Sequence, residues 1–152
     1  MSDSLQVSTD VAARPDRVIE LVSDVTRIGE WSPETVSCRW RGDATGPGVG
    51  ARFTGANRHR WHRWSTSCTV TAADHSRFAF RVTSLGLPVA EWAYDARLAP
   101  GGSTVTESWT DLRGGLMRRV GAAATGVADR VEHNRAGMQR TLAALKAVAE
   151  RS

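Results

Sequence analysis

Apolar and polar residues alternate in short runs through residues 35–112, and after Gly126 the alternation gives way to a helical spacing of apolar positions. A period of two is the signature of half-buried strands, and a period near 3.6 is that of an amphipathic helix. Leu5, Val7 and Thr9 predict a first strand, and residues 35–40, 49–58, 61–72, 77–83, 89–98 and 103–112 predict six more. The separators carry turn residues, most sharply Pro100, Gly101 and Gly102. Between the first two strands, Pro15 at a first-turn position and the stripe Val18, Leu21, Val22, Val25 predict a helix. Thr26 is the expected cap of a second, short one that Pro33 ends. Residues 114–126 are the least patterned and read as a connection with one helical turn at Leu116, Met117 and Val120. The closing helix is expected over about 126–149, with the stripe Val127, Val131, Asn134, Met138, Leu142, Leu145.

A single helix that follows an antiparallel meander has to bury its stripe against that sheet. The predicted class is therefore α+β: a curved seven-stranded antiparallel sheet around a long C-terminal helix, with two short helices between strands 1 and 2. Strand periodicity then sorts side chains into faces, subject to any bulge. Inward sets are Val36, Cys38, Trp40; Phe53, Gly55, Asn57; Trp64, Thr66, Cys68, Val70; Phe78, Phe80, Val82; and Ala90, Trp92, Tyr94, Ala96, Leu98. In the last strand Val105, Glu107 and Trp109 share the inner face, so a carboxylate is expected to look inward. Large aromatics mixed with Asn57, Tyr94 and Glu107 predict a lined cavity, with at least about 300 Å³ expected of a container.

Composition narrows the classes. The 152 residues, 41% hydrophobic and 24% charged, fit one globular domain spanning 1–152 and lie outside the disordered range. No apolar run reaches the roughly 18 residues of a membrane span. The N-terminus lacks a basic start followed by an apolar stretch, which predicts a cytoplasmic protein. The net charge of +4 comes from scattered basic residues, nineteen of them Arg, with no basic block or reading motif. Nucleic acid is not an expected partner.

Candidate chemistry is sparse. Glu107 is the best single position: an inward carboxylate in an apolar cavity can act as acid, base or ligand acceptor, or serve as a structural ion pair with an Arg. Asn57 and Tyr94 can orient a polar group of an apolar ligand or satisfy each other, and Asn134 on the helix stripe is a similar case. Cys38 and Cys68, thirty residues apart on the apolar phase of their strands, read first as buried free thiols, with a disulfide or a metal role as the alternative. His59 and His62 do not make a metal site, because continuous strand would put them on opposite faces and a turn would leave them short of further ligands. Gly46, Gly48 and Gly50 lack the Lys-Ser/Thr ending of a phosphate loop. No metal or cofactor is expected. Six tryptophans are mostly core, and two or three can line a cavity.

The words SDVTRIGEWSPE (23–34), GARFTGANR (50–58), VTESW (105–109) and HNRAGMQRTLAALKAVAE (133–150) resemble actinobacterial members of the polyketide cyclase/dehydrase-like branch of the START and birch-pollen-allergen superfamily. The resemblance implies the helix-grip fold and a hydrophobic cavity between sheet and last helix. It carries no catalytic residue onto this chain. The expected function is binding of a small lipid-like or aromatic polyketide-like molecule, as carrier or sensor. A cyclase, aromatase or dehydratase is the alternative, and a regulatory protein-interaction module the second; no protein partner is indicated by the sequence. The ligand-facing candidates are Glu107, Asn57, Tyr94, Trp64, Trp92, Trp109, Phe53, Phe80, Asn134 and Met138.

Overall fold

The computed structural model describes residues 3–151; residues 1, 2 and 152 of the expected domain lie outside the described residues. Strand β1 (Ser4–Val11) is followed by helix α1 (Pro15–Ser23) and a 3-10 helix (Val25–Glu30). Strands β2 (Thr35–Trp40), β3 (Arg52–His59), β4 (His62–Ala73), β5 (Arg77–Ser84), β6 (Leu87–Ala99) and β7 (Gly102–Asp111) come next. Helices α2 (Gly115–Thr125) and α3 (Arg130–Arg151) close the chain. All seven strands pair antiparallel in the order β1-β7-β6-β5-β4-β3-β2. Strands β2 to β7 thus form a meander, and β1 joins it beside the last strand.

Local sequence explains most of these boundaries. Pro15 opens α1 where its missing N–H costs nothing, and Val18, Leu21 and Val22 bury the face turned to the sheet. The cap of the 3-10 helix is Asp24 rather than Thr26: its carboxylate accepts from the Thr26 amide at 3.2 Å and from the Thr26 hydroxyl. An acidic side chain one residue before the turn reaches the orphan N–H better than a threonine inside it. The β5–β6 hairpin turns through Leu85 and Gly86, both at positive φ (54° and 77°), which matches the twist of the flanking strands.

On α3, Asn134, Met138, Leu142 and Leu145 are buried as the stripe requires, and Leu142 and Leu145 join a core built from α1, the 3-10 helix and the inner sheet face. A second, smaller cluster joins Met138 to Leu5, Ala90 and Trp109. Each such side chain contributes roughly 1.5–3 kcal/mol by leaving water.

Four further expectations are corrected. Residues 114–126 form an eleven-residue helix, not a connection with one turn. Gly126, at φ +72°, ends it with a left-handed cap whose N–H reaches the Ala122 carbonyl. Val36 is 58% exposed, because a register shift between Thr35 and Ser37 turns it out of the inner set. Leu98 is exposed at the far end of β6, beyond the reach of the covering helices. Trp61 is no strand residue: it occupies the two-residue turn between the paired His59 and His62, exposed and stacked on the His62 ring.

Candidate ligand-binding site

A cavity of about 250 Å³ lies between the inner sheet face and α3, somewhat under the 300 Å³ expected. Aromatic side chains pack against one another along its wall. Trp92 and Trp109 lie tilted at 6.4 Å, and Phe53 meets Phe80 edge-on at 5.2 Å. The wall carries all ten residues marked in the sequence: Phe53 and Asn57 from β3, Trp64 from β4, Phe80 from β5, Trp92 and Tyr94 from β6, Glu107 and Trp109 from β7, and Asn134 and Met138 from α3. Leu85 of the β5–β6 hairpin and Val120 of α2 belong to the same wall while exposed to solvent, so the cavity opens between that hairpin and α2.

The polar groups fall into three sets. Deep inside, Tyr94 and Glu107 face each other across the β6–β7 ladder, and the Tyr94 hydroxyl donates to Glu107 Oε2 at 2.8 Å. Glu107 is 2% exposed, and its Oε1 has no protein partner. Burial pushes the Glu107 carboxyl up to about 8 despite the opposing Tyr94 hydrogen bond. Burial first, and the neighbouring carboxyl second, push the Tyr94 phenol well above its usual range.

Asn57 belongs to the wall's own hydrogen bonding. Its Oδ1 accepts from Thr35 Oγ1 at 2.8 Å, and its Nδ2 donates to Thr66 Oγ1 at 3.1 Å. Cys38 and Cys68 flank the same strand as free, buried thiols, both pushed up to about 12 by burial. At neutral pH they are neutral wall atoms.

The third set was not marked in the sequence. Glu34, at the entrance to β2, accepts from Arg130 Nη1 through both oxygens at 2.9 Å and from His133 Nε2 at 2.9 Å. Arg130 also donates to Thr125 Oγ1 at 2.9 Å and, at 3.5 Å, to Asn134 Oδ1. Burial would raise the Glu34 carboxyl, but His133 and Arg130 outweigh it and hold the group below its usual value. His59 packs edge-on against His133, with ring centroids 4.7 Å apart. Arg130 stands one helical turn before Asn134 on the marked stripe, which is a local signal; its pairing with Glu34, 96 residues away, has none. A further buried pair, Asp111 with Arg113, joins β7 to the start of the α2 segment at 2.9 Å. No group of three or more His, Cys, Asp and Glu able to hold a metal occurs among the described residues.

A curved sheet gripping a terminal helix around an aromatic cavity coincides with a family described as polyketide cyclase/dehydrase and lipid transport, whose model matches residues 2–150. This chain belongs to that family. The same conclusion follows from a Polyketide_cyc-like protein of Corynebacterium glutamicum, 33% identical, with a TM-score of 0.55 over 99% of this chain and 86% of that one. The di-domain ARO/CYC BexL from the BE-7585A biosynthetic pathway superposes with a TM-score of 0.73 at 22% identity. It covers 98% of this chain, which spans half of that longer protein. Ara h 8.0201 matches end to end, 100% of each chain, with a TM-score of 0.72 at 13% identity, a likeness of fold alone. No curated protein matches the chain. Family membership agrees with the resemblance read from the sequence words and with the helix-grip architecture.

Proposed function

We propose that this protein binds a small, mostly apolar molecule in the cavity between its sheet and α3, as a carrier or sensor. The observation that carries the reading is the wall itself: aromatic and aliphatic over most of its area, with few polar groups, of which most already have protein partners. A volume near 250 Å³ suits a molecule of one or two rings, or a short acyl chain, better than an extended polyketide. Membership of a family described in part by lipid transport supports the same reading.

A second reading, an enzyme of the cyclase or aromatase kind, draws on two polar sets at different depths of one cavity. Tyr94 and Glu107 sit at the inner end, and Glu34 with Arg130 and His133 forms the other set. The ARO/CYC name of BexL points the same way by fold alone.

Native mass spectrometry of the purified protein, followed by solvent extraction, separates the readings. A carrier retains an unchanged molecule at one per chain. An enzyme converts an added aromatic polyketone into a product that is lighter by the mass of water where ring closure is followed by dehydration, or an isomer with a changed chromatographic retention and absorbance where the ring closes without it. A protein that retains nothing, and that binds no apolar probe up to its solubility limit, is not a container.

A further inference from the structure

Glu107 is the one wall carboxyl with an oxygen left over. Its Oε2 is occupied by the Tyr94 hydroxyl, while Oε1 is buried, unpartnered and on the cavity wall. A buried polar atom with no partner costs free energy unless something supplies one. The other charged wall residues are already paired within the protein. Arg113 is engaged by Asp111, and Arg130 by Glu34 and Thr125, so an anionic ligand finds no free guanidinium on this wall.

Resting on the carrier reading of the same cavity, we propose that its inner end takes an uncharged ligand through a carbonyl-type oxygen, with Glu107 donating the hydrogen bond from Oε1. The arrangement follows from the pair's geometry. A phenol donating to Oε2 makes that oxygen the acceptor of the carboxyl group, which leaves the acid proton on Oε1, where the cavity begins. Nothing charged stands against it. Tyr94 on β6 is neutral, Val7 is its partner on β1, and the α3 wall nearby offers Asn134 and Met138. Of the remaining titratable wall groups, Arg130 and His133 are paired with Glu34, and the two thiols keep their protons to about 12. Burial then holds the Glu107 proton in place up to about pH 8. A ligand with a ketone, quinone or ester oxygen completes the site. A carboxylate would stand beside a buried acid with no cation to balance it.

Three probes of one shape test this by calorimetry: 2-acetylnaphthalene, its hydrocarbon isostere 2-isopropenylnaphthalene, and 2-naphthoate. At pH 6 the ketone is expected to bind roughly three- to ten-fold more tightly than the hydrocarbon, the range of one added hydrogen bond, with naphthoate weakest. At pH 9.5 the wild type loses the ketone preference as Glu107 ionises. The Glu107→Gln variant keeps it at both values, because an amide N–H donates at any pH. The Glu107→Leu variant is expected to bind ketone and hydrocarbon alike; the pH and Gln arms stand without it if that variant fails to fold. Equal binding of ketone and hydrocarbon by the wild type at pH 6, or a preference for naphthoate, overturns the assignment while leaving the cavity a container. Absence of binding by all three overturns the container reading and this inference with it.

Discussion

Glu107 shows what one side chain experiences when its strand phase points it into an apolar wall. Below pH 4.5 the carboxyl is protonated whether the chain is folded or not; above that value the unfolded chain releases the proton and the folded one keeps it up to about pH 8. Folding stability from this group is therefore complete below pH 4.5 and falls as pH rises, by about 1.4 kcal/mol for each pH unit, until the folded group ionises too. Urea denaturation of wild type and Glu107→Gln in parallel from pH 5 to 8.5 should show the wild type losing ground steadily to the variant. A constant difference across that range would mean the carboxyl is not held protonated. Its inward position was readable from Val105 and Trp109 on either side. The Tyr94 partner follows from the Pro100–Gly101 turn, which sets Ala99 opposite Gly102 and, with no bulge between, Tyr94 opposite Glu107; only the hydrogen bond between the two side chains needed the structure.

At the scale of elements, α3 was legible because its stripe repeats from Val131 to Leu145, although Val127, expected on it, lies ahead of the helix, which begins at Arg130 rather than about 126; α2 was not. Leu116 and Val120 are exposed, so the helix shows no buried apolar face of the usual kind; it is defined by backbone bonding and by its left-handed cap. Gly126 there has two reasons to be glycine, a φ of +72° and the His62 ring, whose Cε1 would lie 2.6 Å from an added Cβ. Gly126→Ala should destabilise the protein by about 1–3 kcal/mol and alter the fit of the β3–β4 hairpin against α2, measurable as a lower denaturation midpoint and faster amide exchange in both segments. Met138→Asp and Leu142→Asp act on the other helix. Each deletes buried apolar contact and buries a charge, so a loss of roughly 3–5 kcal/mol is expected, and melting within a few degrees of wild type would contradict the packing of α3 on the sheet.

For the molecule as a whole, the cavity carries the proposed function and is also a weakness. Wall atoms that face empty space lose contacts that a filled core would provide. A cavity ligand that binds only the folded chain should raise stability by about 2.7 kcal/mol at one hundred times its dissociation constant. Protein stripped by solvent extraction and refolded should melt lower than protein as purified, and adding back the extract should restore the difference. Equal melting temperatures before and after extraction would show that no cavity ligand accompanies the purified protein.

Periodicity by itself determined seven strands, most of their inner-facing positions and the closing helix, because strand and helix periods are local and repeat many times along this chain. Local patterning ended where contacts depend on distant parts of the chain. The turning-out of Val36 needs a bulge against β3, and the cage of Glu34, Arg130 and His133 needs the start of β2 brought to the first turn of α3. The volume left between sheet and helix is a small difference between large packed volumes. Tertiary structure alone decided it, since an element's amphipathic face fixes which side is buried but not how closely its partner approaches.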